Sequence, residues 1–202
     1  SCSHSSVCKA RTSRFGMRAF DFDQTIYGGY SYRDFCFFVT ARKPWLAFYL
    51  PVIIVVALIK AMHLISMVRA VEIILWPYLR FKNIDEYVVK FWDKREKRIR
   101  SWYREIASPD DVIISATPYF FLAEIARRLG VKHLIATEID RKTGKVVLPY
   151  CYREGKWQRF CAEFGEDAVI DEYYTDTMRD EFMLNKAKAG YLVKKNKVTR
   201  VH

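Results

Sequence analysis

Two carboxylates stand two residues apart in the run Met17-Arg-Ala-Phe-Asp-Phe-Asp-Gln-Thr25, where a short apolar strand reaches its end. Strand side chains alternate between faces, so Asp21 and Asp23 point the same way only while the chain stays extended. A turn after Asp21 separates them. One carboxylate is then free to act as a nucleophile beside a cation, and the other as a proton donor and acceptor. The pair suits Mg²⁺-assisted phosphoryl transfer, but an acidic turn closing a strand looks the same, so other parts of the chain must decide.

Three further stretches bring the required groups in order. Asp111-Val-Ile-Ile-Ser115-Ala-Thr-Pro118 reads as a short buried strand, with Ser115 at its C-terminal end and Pro118 opening the next helix. A hydroxyl there holds a phosphate oxygen or caps a helix. Lys156 begins a helical stretch that runs to Phe164, and its ammonium either neutralises phosphate or faces solvent. Finally, the strand from Val169 to Thr175 runs into a loop carrying Asp176 and Asp180, hard oxygen donors of the kind Mg²⁺ takes. With three of the four groups at predicted strand ends, the ordered set favours the chemical reading.

On these residues the chain resembles the phosphatases of the haloacid dehalogenase superfamily, from Arg18 to the C-terminus. The resemblance is to the phosphoserine phosphatase-like subfamily IB, which carries a helical C1 cap inserted after its first motif. It implies that Asp21 is the nucleophile, forming an aspartyl-phosphate, and that Asp23 protonates the leaving alcohol and later activates water. It further implies that Thr25, Ser115, Ala116 and Lys156 bind the phosphoryl group. Mg²⁺ would be held by the Asp21 carboxylate, the Asp23 main-chain carbonyl and Asp176, with Asp180 and Arg179 in support. Two positions depart from the family pattern: Thr175 stands where a glycine is usual, and Arg179 where a small polar residue is common.

The elements around these groups alternate. A helix is predicted over Tyr119–Leu129, stopping at Gly130, then a strand over His133–Thr137 and a hairpin between Asp140 and Leu148. Helix Lys156–Phe164 stops at Gly165, and strands follow at Val169–Thr175 and Tyr191–Val193. This rhythm predicts an α/β, Rossmann-like three-layer parallel sheet whose ligands sit at the strand C-terminal ends. At 202 residues and 51% hydrophobic content the chain is long enough to bury a substantial core. Cysteines at 2, 8, 36, 151 and 161 form neither a C-x-x-C pair nor a disulfide framework, which points to a reducing, cytoplasmic setting. Residues 1–16 read as an N-terminal extension, 17–29 and 106–202 as the catalytic core, and 30–105 as the helical cap.

The cap is both apolar and cationic. Trp45–Ile59 holds no charged residue, and apolar character resumes after Lys60 as far as Val68. The strict run is short of the ~20 residues a transmembrane helix needs and includes Pro51, so it reads as an interfacial or re-entrant helix pair, or as a buried cap core. Ile26–Glu105 carries fourteen Lys or Arg against seven Asp or Glu, in a chain of net charge +11. Asp93–Arg104 reads as a basic helical face with aromatics, and Lys186–Arg200 as a second basic cluster. Apolar helices flanked by Lys, Arg, Trp and Tyr suit an anionic membrane surface, although charge runs also serve simply as solvated faces. No nucleic-acid reading module is present, and His63 and His133 read as packed residues. The expectation is a Mg²⁺-dependent phosphomonoesterase, peripheral at the inner membrane face, acting on a phosphorylated lipid or lipid-like molecule. In character its cap resembles that of bacterial phosphatidylglycerophosphate phosphatases. The alternatives are a phosphatase of a soluble metabolite such as phosphoserine, and a non-catalytic module that binds anionic surfaces.

Overall fold

The structure, a computed structural model, describes residues 16–202. The extension expected over 1–16 therefore lies outside the described residues, apart from Gly16. Strand β1 (Arg18–Phe20) lies inside a six-stranded sheet with β2 (Val112–Pro118), β3 (His133–Thr137), β6 (Ile170–Thr175), β7 (Ala187–Lys194) and β8 (Lys197–Arg200). The order is β3-β2-β1-β6-β7-β8, parallel except for the edge strand β8. A small antiparallel pair, β4 (Ile139–Asp140) and β5 (Lys145–Val146), forms the expected hairpin. The period-two pattern divides β1 between two cores. Phe20 packs with Ile113 on one face of the sheet, while Ala19 packs with Val112 and Ile114 on the other.

Helices cover both faces. On the second face lie α7 (Glu154–Phe164), through Phe160, and α8 (Glu181–Lys186), through Met183 and Leu184. The first face carries α5 (Ser101–Ile106) and α6 (Tyr119–Leu129), through Tyr103, Phe121 and Ile125. α6 ends where Gly130 takes a left-handed φ of 72°, which a residue without Cβ adopts at little cost. Two helices of the insert, α1 (Ser31–Thr40) and α4 (Ile84–Arg95), share this same core instead of forming one of their own. Trp92 is fully buried, its indole lies tilted on the Phe121 ring with centroids 5.0 Å apart, and its Nε1 donates to the Phe121 carbonyl at 3.0 Å. The inner half of the insert is thus continuous with the core on this face of the sheet.

The outer half differs. After a 3₁₀ turn at Pro44–Tyr49, α2 (Leu50–Ala61) packs against α3 (Met67–Leu79) and otherwise faces outward. Pro51 lies in the first turn of α2, where its missing N–H costs nothing, so it starts this helix and does not break it. Over Trp45–Val68 only Leu46 and Val56 are buried, which overturns the reading of this stretch as a buried cap core. Two other expectations change. Asp93–Arg104 is not one basic helix, because Ile99 is buried and bridges Tyr27, and the Arg100 amide donates to the Ile26 carbonyl at 2.9 Å, pulling the chain extended. The basic stretch Lys186–Arg200 contains β7 and the fully exposed edge strand β8, whose Lys and Arg side chains discourage further strand pairing.

Candidate active site

β1 ends at Phe20, and the Asp21 amide still donates to the Tyr174 carbonyl of β6 at 2.8 Å, so Asp21 leaves the sheet at the C-terminal end of its central strands. The chain then turns. The Ile26 and Tyr27 amides both donate to the Phe22 carbonyl, and Gln24 takes a left-handed φ of 61°. This turn gives the two carboxylates separate surroundings. Asp21 Oδ1 accepts from Lys156 Nζ at 2.7 Å. Asp23 accepts from the Ser31 amide at the start of α1 and from the Thr117 hydroxyl at the end of β2, both at 2.8 Å.

Lys156 comes from the first turn of α7 and is 3% exposed, so it is no solvated surface lysine. Its Nζ also lies 2.5 Å from Asp180 Oδ2 and 3.3 Å from the Tyr173 hydroxyl, which itself donates to Asp180 at 3.0 Å. Burial alone would push the ammonium's pKa down, but Asp21, Tyr173 and Asp180 hold it well above the ordinary lysine value. Burial raises the Asp21 carboxyl, with Asp180 and Asp23 adding to the rise and Lys156 opposing it. Asp23 is raised too, by burial, against the hydrogen bonds from Ser31 and Thr117. A carboxyl so placed holds its proton more readily, as a general acid must.

Asp176 follows β6 directly, beside β1, and burial together with Asp180 raises its carboxyl. Its main-chain carbonyl accepts from Lys194 Nζ at 3.1 Å. Thr175, the residue standing in place of the family's usual glycine, is fully buried and donates its hydroxyl to Asp180 Oδ2 at 3.2 Å. Ser115 is buried on β2 and accepts from the Thr117 amide at 3.2 Å; Ala116 follows it on the strand. Thr25 is buried with its hydroxyl unpartnered. Arg179 stands apart from the cluster: it is exposed on a 3₁₀ turn, with its main-chain nitrogen donating to Thr177.

Sequence reasoning did not single out Ser31, Thr117 or Tyr173. Tyr173 carried a signal, lying two residues along β6 from Thr175 and so on the same face, whereas Thr117 lies beyond Ser115 where the pairing of β2 with β3 shifts register. Ser31 follows Gly28-Gly29 at a helix start, where main-chain amides point outward and attract a carboxylate.

Among the described residues no three His, Cys, Asp or Glu side chains gather as a metal cage. Hard oxygen donors are nevertheless present, with the Asp21 and Asp176 carboxylates following neighbouring strands and the Asp23 carbonyl in the turn after β1. Their carboxyls are raised by burial and by neighbouring acids, so added positive charge is favourable there. Two carboxylates with water and phosphate completing the shell fit Mg²⁺, which seldom takes an all-protein cage.

A family model for haloacid dehalogenase-like hydrolases matches residues 19–190. The chain belongs to that family. Solved structures share the fold of this haloacid dehalogenase-like hydrolase. A protein of unknown function from Bordetella pertussis Tohama I is 22% identical, with a TM-score of 0.70 over 84% of this chain and 85% of that one. A phosphoserine phosphohydrolase-like protein from Francisella tularensis is 15% identical, with a TM-score of 0.58 over 87% and 86%. A phosphoserine phosphatase in its apo form is 18% identical, with a TM-score of 0.52 over 87% and 84%. A search of curated proteins finds no match. The expected Rossmann-like sheet is the fold of this hydrolase family.

Proposed function

We propose that this hydrolase cleaves phosphate monoesters through a phosphorylated Asp21. The observation that carries the reading is the division of labour between two carboxylates two residues apart, Asp21 on Lys156 and Asp23 on Ser31 and Thr117. An Asp21 carboxylate oxygen forms a bond to phosphorus as the ester P–O bond breaks, and Asp23 gives its proton to the departing alcohol oxygen. Water then attacks the phosphorylated Asp21, Asp23 takes the water's proton, and inorganic phosphate leaves with the carboxylate restored. Lys156 places positive charge beside the transferring group, and Asp180, Tyr173 and Thr175 hold that ammonium in place. Ser115, Ala116 and Thr25 offer hydrogen bonds to phosphate oxygens. Asp21, the Asp23 carbonyl and Asp176 would hold Mg²⁺, which when bound would supply charge that lets a phosphate dianion approach a carboxylate.

The substrate we infer is a phosphate head group on a lipid or lipid-like molecule, met at the inner membrane face. Its support is the outward apolar surface of α2 in a chain of net charge +11. A soluble phosphoserine-like ester is the second reading, favoured by the phosphoserine phosphatases among the structural relatives. Hydrolysis of an aryl phosphate should require Mg²⁺ and vanish in Asp21→Asn, and activity persisting in that variant removes the nucleophile. Phosphorylated lipids and soluble esters assayed side by side then decide the substrate. Faster turnover of the soluble esters sinks the lipid assignment.

A further inference from the structure

Pro44–Ala61 is an 18-residue stretch of mean hydropathy 2.0, of which only 11% is buried. Leu50, Val52, Ile54, Val55 and Leu58 are all exposed, Ile54 and Leu58 at 60% each, so apolar surface covers more than half of the helix circumference and only the side of Val56 is seated on the protein. Soluble surfaces seldom carry a contiguous apolar patch of this kind without something to cover it. The course of the chain limits what that is. It reverses at His63, where φ is 60°, and α3 returns along the body of the protein. There Glu72 accepts from Lys145 Nζ at 3.0 Å and from the Val146 amide at 3.2 Å, tying α3 to the β4–β5 hairpin. Both ends of the α2–α3 hairpin therefore stay on one side, and the pair reaches a single leaflet without crossing.

A second feature lies where α1 leads into this stretch. A pocket of about 690 Å³ is lined by Arg42, Lys94, Arg95, Lys97 and Arg98, opposed only by Asp34 and Asp93. Phe37 and Phe38 add apolar wall, and the Arg42 guanidinium lies 3.5 Å above the Phe38 ring. Asp34 is already engaged by Arg98 at 2.5 Å. Among the described residues no ion pair holds Lys94, Arg95 or Lys97. The pocket thus keeps spare positive charge beside apolar side chains, the chemistry of an anionic amphiphile's head group.

We propose that α2 lies in one leaflet of an anionic bilayer while the basic pocket along α1 takes a lipid phosphate. The occupant is a membrane, because a uniformly apolar helix and an unpaired cationic pocket meet their complements together at such a surface. Asp34 in the first turn of α1 and Arg42 just past its end both line the pocket, so the pocket runs along this ten-residue helix, whose first residue, Ser31, holds Asp23. The proposal gives a partner to the site described above, but its test does not depend on catalysis.

The full chain is floated with vesicles of phosphatidylglycerol and phosphatidylcholine, and with phosphatidylcholine alone. Flotation with the anionic vesicles is expected to exceed that with neutral ones at least tenfold. The double variant Ile54→Asp/Leu58→Asp should lose at least tenfold on anionic vesicles, and Lys94→Glu/Lys97→Glu should fall to the neutral-vesicle level. Each variant should keep the wild-type melting temperature, which separates lost docking from lost folding. Wild-type protein that does not float, or variants that float as well as wild type, overturns the proposal. So does a dimer in sedimentation velocity, abolished by Ile54→Asp/Leu58→Asp, in a chain that ignores vesicles, since a second copy then covers the face. Loss of docking would leave Asp21-dependent hydrolysis in place, and Asp21→Asn protein that still floats would show docking without chemistry.

Discussion

Lys156 is the residue on which the acidic cluster depends. It is the cation in contact with both Asp21 and Asp180, and all three side chains are buried. Removing one partner from a buried charge group leaves the others uncompensated, which costs about 3–5 kcal/mol. Lys156→Met is therefore expected to lower unfolding stability by that amount in urea denaturation and to abolish aryl phosphate hydrolysis. A variant as stable as wild type would mean the carboxyls are satisfied by other groups. Thr117→Val separates positioning from stability. It removes one of the two hydrogen bonds that orient Asp23, and a bond to a charged group is worth about 1.5–3 kcal/mol. The expected loss is roughly ten- to a hundredfold in kcat, with KM little changed. An unchanged kcat would leave Thr117 a structural cap. Asp21 and Asp23 were legible in sequence because their spacing is local. Thr117 lies 94 residues from Asp23 and Lys156 lies 135 from Asp21, so only the sheet topology shows that they meet. The Thr175 departure gains its meaning the same way, since its hydroxyl supplies Asp180 with a donor that a glycine lacks.

Helices α4 and α6 are joined by charge as well as by aromatic packing. Arg128, near the end of α6, reaches Asp93 at 2.8 Å, Glu96 at 3.2 Å and Glu124 at 2.7 Å. The Arg127 hydrogen bond, with help from Arg128, holds the Glu124 carboxyl down at about 2, below its ordinary 4.5. A carboxyl lowered by folding contributes stability that is fully present above about pH 4.5 and is lost as pH falls through about 2. Partial solvent exposure discounts the effect, so Glu124→Gln is expected to cost about 1 kcal/mol at neutral pH. In urea titrations the gap to wild type should close on going down that window, and a constant gap would assign the loss to packing. At this scale the sequence showed most of the catalytic core, because strong apolar runs bounded by Gly130 and Gly165 mark their own ends. It failed where tertiary pairing overrode local pattern. The run Ile99-Arg100 is extended because it meets Tyr27 and Ile26 of the catalytic turn. β8 was hidden by lysines that suit an exposed edge and read only as charge.

Charge across the whole molecule sets how a substrate arrives. The chain carries a formal +11, yet its candidate active site sets Asp21 and Asp180 on one buried lysine, with Asp23 and Asp176 following the same strand ends. On the proposed reading, a phosphate ester is drawn by the distant positive surface and meets acidic groups only at close range, where Lys156 and a bound Mg²⁺ would offset them. Sequence composition made the long-range half of this arrangement visible, and the fold was needed to show that the acids are buried together. The two ranges respond differently to salt. Raising ionic strength from about 0.01 M to about 0.15 M shortens the screening length from about 30 Å to about 8 Å, which quenches the surface field but spares contacts of a few ångströms in a buried site. At fixed Mg²⁺, kcat/KM for a soluble aryl phosphate should fall several-fold over this range while kcat holds within about twofold, as steering acts on encounter and not on chemistry. Initial rates across substrate concentration at each salt level measure both. A kcat that falls in step with kcat/KM would place the salt-sensitive charge inside the catalytic cluster, and the exterior of this hydrolase would then play no part in drawing its substrate in.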